Sequence, residues 1–308
     1  MRGSPLAISI ASAIAILSLA APLAAPGEEA PGPAAIPLGP ARPLVAGHRG
    51  ARARFPENTL PAFRYALASG ADAIELDVTV TRDDRLAVIH DATLPPDHVS
   101  WPGGPPVRPG IAVRSLTWEE LRRFDAGSIR SRWFPGQKPV PGTRIPCLEE
   151  VLDLLASPDP PSARPARLFL ELKRRPEPDL YPEAAPYARL VVDLLRRRGF
   201  LSRTLVLSFD VPLLAEVGRL EPDLPLALLS DAPGDLVAPA LAVGAAWAGP
   251  HHGRLDETSV SALHAAGLKV AAWAVNSLSD QDRLLALGVD AIITDDPAPL
   301  VQRLRERP

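Results

Sequence analysis

Ala73-Ile74-Glu75-Leu76-Asp77-Val78 alternates with period two, which sets Ile74, Leu76 and Val78 on one face of a strand and both carboxylates on the other. Upstream, residues 60–69 have helical spacing, with Asn58 or Thr59 as N-cap and Gly70 as the stop. Before them Leu44-Val45-Ala46-Gly47 is another apolar run, ending at His48, and downstream Leu86-Ala87-Val88-Ile89 ends at His90. Further runs lie at 168–170, 205–207, 226–229, 245–247, 270–273 and 291–293, with helical patterns over 148–155, 187–198, 258–266 and 279–287. Strand alternating with helix means a parallel sheet, and some eight repeats favour closure into a TIM (β/α)8 barrel. There are nine runs, however, and residues 79–85 are too few for a crossover helix. One run is therefore a hairpin extra or an irregular barrel strand.

The barrel accounts for residues 44–308. Ahead of it, a single early charge at Arg2 and an apolar run over 6–21, with Ser18-Leu19-Ala20 as a cleavage signal, predict a secretory signal peptide within residues 1–25. A Pro/Ala-rich linker follows over 26–43. This layout predicts a secreted or periplasmic protein with no stable membrane insertion once the signal is cleaved; an uncleaved anchor is the alternative. A net charge of −3 without a basic stripe argues against a nucleic-acid partner. A lone cysteine, Cys147, excludes intramolecular disulfides and cysteine-based zinc sites, and is expected only to pack. Arg196-Arg197-Arg198 suits a helix C-terminus.

In a TIM barrel, reactive side chains gather where strands end, and His48, His90, Glu171, Ser208 and Trp273 all end their runs. Glu75 and Asp77 side by side repel unless a cation joins them, and carboxylate oxygens suit Ca2+ or Mg2+; Glu171 is the natural third ligand. Arg49 and Lys173, the latter on the same strand face as Glu171, can hold a phosphate. Free imidazole titrates near neutrality, so of the His48 and His90 rings one can accept a proton while the other donates.

The ordered set His48-Arg49-Gly50, Pro56-Glu57-Asn58-Thr59, Glu75-Leu76-Asp77-Val78, His90-Asp91, Glu171-Leu172-Lys173, Ser208-Phe209, Trp273-Ala274-Val275-Asn276 and Thr294-Asp295-Asp296-Pro297 resembles the glycerophosphodiester phosphodiesterase family, from Leu44 to the C-terminus. The resemblance implies a TIM barrel with a small capping insertion at about 92–146, after the third strand. It implies hydrolysis of a small-molecule glycerophosphodiester to glycerol 3-phosphate and an alcohol, through a cyclic phosphate. Glu75, Asp77 and Glu171 would hold a divalent metal, His48 and His90 would move protons, Arg49 and Lys173 would contact phosphate, and Trp273 would line the glycerol pocket. Asn276 and Asp295 fit either groups supporting the site or helix caps, and His251-His252 could edge the pocket. Two other readings stay open: an enzyme on intact lipid that stops at the cyclic phosphate, for which Trp101 and Trp133-Phe134 would supply an apolar rim, and a non-catalytic phospholigand-binding barrel.

Overall fold

The computed structural model describes residues 42–157 and 165–306. The signal and linker expected at 1–43 lie almost wholly outside them. In chain order the elements are β1 (Leu44–Gly47), α1 (Leu60–Ala68), β2 (Ala73–Val80), β3 (Leu86–Val88), α2 (Trp118–Leu121), α3 (Leu148–Ala156), β4 (Arg167–Leu172), α4 (Ala184–Arg198), β5 (Thr204–Ser208), α5 (Val211–Leu220), β6 (Leu226–Ser230), α6 (Val237–Ala242), β7 (Trp247–Pro250), α7 (Glu257–Ala265), β8 (Lys269–Ala272), α8 (Leu278–Leu287), β9 (Ala291–Thr294) and α9 (Pro297–Glu306).

Eight of the strands are parallel and close into a TIM barrel, with β1 pairing both β9 and β2. The ninth is the hairpin extra. Strand β2 pairs β1 only at Ala73 and Ile74, then runs on, and its last residues take β3 as an antiparallel partner, Val78 opposite Val88 and Val80 opposite Leu86. The short turn between them leaves no other option. No helix among the described residues is long and apolar enough to cross a membrane.

Side-chain parity divides the core in two. Val45, Ile74, Leu76, Val78, Leu168, Leu170 and Leu172 point outward into the layer under the helices. Leu44, Ala46, Ala73, Phe169, Leu205, Leu207, Trp247, Ala271, Ala291 and Ile293 fill the barrel. Two residues further along each strand, on the inward parity, stand His48, Glu75, Glu171, Phe209, Trp273 and Asp295. The polar layer is thus the next layer of the barrel filling, at the C-terminal rim.

Between β3 and α3 the chain forms an insertion with its own small core of Ile89, Leu94, Val99, Val107, Val113, Trp118, Leu121, Phe124 and Ile145, with Cys147 at its base. Asp125 organises one loop of it, accepting from the amides of Gly127, Ser128 and Gly142 at 2.7, 2.9 and 2.7 Å. The three arginines Arg196, Arg197 and Arg198 do close helix α4.

Candidate active site

The turn after β1 brings its residues close to several strands. Gly47 has no room for a side chain: a Cβ there would lie 1.9 Å from the Gly50 carbonyl oxygen. Arg49 adopts φ 49°, a left-handed conformation that costs an L-residue about 1–2 kcal/mol. The strain is offset by what the turn achieves. The Arg49 amide donates to Glu75 Oε2 at 2.8 Å, its guanidinium donates to Glu57 Oε1 at 2.7 Å, and its Nε lies 3.3 Å from Asp77 Oδ2. Asn58, also left-handed at φ 55°, is no helix cap: its side chain donates to Asp77 Oδ2 at 2.8 Å and accepts from the Asp77 amide at 3.2 Å. Thr59 is the N-cap residue of α1, and its hydroxyl turns back to the Pro56 carbonyl.

Glu75, Asp77 and Glu171 are all buried, and each offers one oxygen such that the three atoms lie within 4.8 Å of one another. Lys173, one residue beyond β4, places Nζ 3.0 Å from Asp77 Oδ1 and also bonds Glu171. Three carboxylates therefore face two cations, Arg49 and Lys173. Burial pushes the Glu75 carboxyl well up, and the neighbouring Asp77 and Glu171 push it further. Burial raises Glu171 as well, with Lys173 opposing. Asp77 goes the other way: against its burial, Lys173 and Arg49 hold it well below the carboxylate range. Glu75 Oε1 is buried with no hydrogen-bond partner among the described residues. An orphaned carboxylate oxygen beside two others is a donor set that fits a hard divalent ion.

The two imidazoles are each held by one nitrogen. His48 Nδ1 lies 2.6 Å from Asp295 Oδ1, and His48 Nε2 lies 4.0 Å from Glu75 Oε2. Despite burial, the His48 hydrogen bond and Arg52 hold Asp295 far below the ordinary carboxylate range. An ionised Asp295 must accept, so Nδ1 carries the proton and Nε2 keeps a free lone pair. Burial lowers the His48 pKa to about 4, against the pull of Asp295, which leaves the ring neutral at pH 7. Arg52 Nε and Asn276 Nδ2 also donate to Asp295, at 2.6 and 2.7 Å. His90 Nδ1 is 2.7 Å from Asp91 Oδ1, and that bond holds Asp91 down, so His90 likewise presents Nε2.

His48, Arg49, Glu75, His90, Glu171, Lys173 and Trp273 all line one cavity of about 950 Å³, and Asp77 lies buried beneath it. The residues singled out from sequence thus converge. Sequence reasoning gave no role to Arg52, Phe209, Arg174 or Tyr181 on the same wall, and underweighted His251 and Asp295. Trp273 is pinned by its Nε1–H donating to the Gly249 carbonyl at 2.7 Å, and meets Phe209 and His251 edge-on at 5.5 and 5.3 Å. Parity along β5, β7 and β9 is the signal that would have found Phe209, His251 and Asp295, whereas Arg52, Arg174 and Tyr181 lie in the segments after β1 and β4, where strand parity does not reach. Ser208, by contrast, turns away and donates to the Leu172 carbonyl at 2.8 Å, and His264 stays on the surface beside Asp290.

Comparison with known proteins gives a consistent answer. The glycerophosphoryl diester phosphodiesterase family model matches residues 48–299. A glycerophosphodiester phosphodiesterase of Caldanaerobacter subterraneus is 32% identical over 266 residues, covering 85% of this chain and 98% of that protein. One from Bacillus subtilis is 31% identical over 273 residues, covering 84% and 86%. A solved structure from Silicibacter pomeroyi superposes with TM-score 0.80 at 33% identity, covering 87% of this chain and 95% of that one. An Oleispira antarctica phosphodiesterase, solved with the product sn-glycerol-3-phosphate, shares the fold at TM-score 0.70 and 24% identity, over 86% and 98% of the two chains. Matched over most of its length, the chain belongs to the glycerophosphoryl diester phosphodiesterase family and is a phosphoric diester hydrolase.

Proposed function

We propose that the protein hydrolyses glycerophosphodiesters to sn-glycerol 3-phosphate and an alcohol, with Ca2+ or Mg2+ held by Glu75, Asp77 and Glu171 and with His48 and His90 as the acid–base pair. The observation that carries this reading is the buried carboxylate triad, with Glu75 Oε1 unpartnered, under a cavity lined by two imidazoles and two cations. When bound, such an ion supplies Lewis acidity and offsets charge gathering on the phosphoryl oxygens.

The side chains have separable tasks. Arg49, fixed by Glu57, and Lys173 hold the phosphate oxygens. Trp273, locked through Gly249, walls the space for the glycerol carbons. A glycerol hydroxyl attacks phosphorus while His48 Nε2, free and uncharged, takes its proton. The bond from phosphorus to the departing alcohol breaks, and His90 in its protonated form returns a proton to that oxygen. A cyclic phosphate remains. Water opens it with the two imidazoles exchanging roles, which restores both protonation states and releases glycerol 3-phosphate.

His48→Ala and His90→Ala are expected to abolish turnover of glycerophosphocholine without unfolding the chain. EDTA is expected to silence the wild type until Ca2+ or Mg2+ is restored. Near-normal rates in either variant, or full activity in chelator, would refute the assignment, and accumulation of cyclic phosphate would refute the second step. We propose also that the protein is exported, on the sequence of residues 1–25 alone. Cell fractionation tests this, and a full-length cytoplasmic product would refute it.

A further inference from the structure

We propose that the loop at 128–138 is a docking element for the anionic surface of a phospholipid bilayer, set beside the mouth of the catalytic cavity. The inference stands apart from the catalytic reading, since it concerns binding alone. Trp133 is 68% exposed, more than any other large hydrophobic side chain among the described residues. Arg132 lies over its ring at 4.7 Å. Arg130, Arg132 and Lys138 are exposed, and none has a carboxylate partner among the described residues.

The loop is firmly built. Ser131 and Gln137 are each 3% exposed. The Ser131 amide donates to Gln137 Oε1 at 2.9 Å, and Gln137 Nε2 donates to the carbonyls of Arg52 and Phe55 at 2.7 and 3.1 Å. The Lys138 amide donates to the Arg54 carbonyl at 2.8 Å. A buried glutamine thus fastens the loop to the segment that carries Arg52. Arg52 lines the cavity, and its guanidinium lies 5.3 Å from the ring of Phe134, the neighbour of Trp133. The exposed indole is therefore next in the chain to a ring that packs against a cavity-lining guanidinium, on a firmly tied loop.

Charge is segregated in the same sense. Residues 92–146 carry eight Arg and Lys against four Asp and Glu, while the whole chain carries 33 against 36. The insertion is a basic plate on an otherwise acidic protein. A single projecting indole is too small for a protein interface, which needs about 1,000 Å² or more. It also offers no row of rings for stacking successive bases. A bilayer makes neither demand: an indole with an apolar body and a polar N–H settles at headgroup depth, and flanking arginines are drawn to anionic lipid.

The test uses the full chain with vesicles of phosphatidylcholine alone or mixed with phosphatidylglycerol, some carrying brominated acyl chains as quencher. Expected are partition at least about tenfold stronger onto the mixed vesicles, weakening with salt, and quenching of the emission that is lost in Trp133→Phe. Each arginine near the surface is worth about a fivefold change, so Arg130→Glu with Arg132→Glu should weaken partition more than about tenfold. Turnover of a water-soluble glycerophosphodiester should be unchanged in both variants. The proposal is overturned by an unquenched Trp133, by equal partition onto phosphatidylcholine alone, or by loop-dependent retention on heparin without partition onto lipid. Any apolar N-terminal contribution is common to all variants and cannot mimic the quenching difference.

Discussion

Glu75→Gln should make the metal-free protein more stable while destroying its activity, a pairing that few substitutions share. The three carboxylate oxygens lie within 4.8 Å of one another. Two unit charges at that separation repel by about 3.5 kcal/mol at an effective dielectric of about 20. Arg49 and Lys173 attach to Asp77 and Glu171, so the excess falls on Glu75, whose pKa is raised by burial first and by its two neighbours next. A carboxyl with a raised folded pKa favours the folded state at low pH, and that contribution is lost as pH rises from the unfolded value through the folded one. At neutral pH the wild type therefore bears a penalty that the isosteric amide removes. Allowing for partial relief by protonation, a gain of about 1–3 kcal/mol is expected, or about 2–10 °C in Tm for a domain of this size. The assay is thermal unfolding in EDTA and again with Ca2+ or Mg2+, alongside release of glycerol 3-phosphate. The wild type should gain Tm on adding metal; Glu75→Gln should start higher, gain far less, and turn over at least about a hundredfold more slowly. A variant that melts lower in EDTA yet keeps the full metal-induced shift would show that Glu75 neither suffers the repulsion nor binds the ion.

Asp295→Asn removes the charge that fixes the His48 tautomer at 2.6 Å, and should lower kcat by about 10²–10⁴ with little change in KM; steady-state kinetics would refute this with an unchanged kcat. Asp125→Asn should destabilise the insertion by about 1–3 kcal/mol, measured by urea unfolding. Burial alone would raise the Asp125 pKa, but Ser128 and the amides of Gly127 and Gly142 hold it below the usual value. Its contribution is therefore complete above the ordinary carboxylate pKa and lost as pH falls through the folded one, so variant and wild type should converge in acid; a gap that widens there contradicts the sign. Burial raises the Cys147 thiol to about 11, so iodoacetamide should label the native protein at pH 7.5 far more slowly than the unfolded chain, and equal rates would disprove its burial.

Much of this architecture is legible in the chain because barrel strands obey parity. Every run that ends in a polar residue on the inward register supplies a rim group, and His48, Glu75, Asp77 and Glu171 follow from that rule. Where the rule was hard to apply, the obstacle was a breaker residue. Strand β7, Trp247–Pro250, contains Gly249 and Pro250, which read as a turn, so the apolar run shows only at 245–247 and His251, although it follows a strand, stands apart from its run in sequence. Helices α5, α6 and α9 each begin with a proline in or near the first turn, and proline reads as punctuation as readily as an N1 residue. Asn58 carries an N-cap signature, yet Asp77 offers it a buried, charge-assisted partner, and tertiary contact wins. Local sequence contains no trace of that partner.

The role of Asp295 is the least local feature, and it reveals how the site is tied to the fold. Its partner His48 lies 247 positions away in sequence. The two meet because β1 and β9 close the barrel in register, Gly47 beside Thr294, with the His48 amide donating to the Thr294 carbonyl at 2.8 Å. Until that seam forms, His48 has no acceptor at Nδ1 and no fixed orientation, whereas Glu75, Asp77 and Glu171 need only the β2–β4 pair. The carboxylate cluster and the oriented imidazole therefore depend on different strand pairs. Loss of the β9 pairing is expected to free the His48 ring while the β2–β4 register still holds the three carboxylates together, so the proposed proton acceptor depends on a strand that supplies none of the three carboxylates.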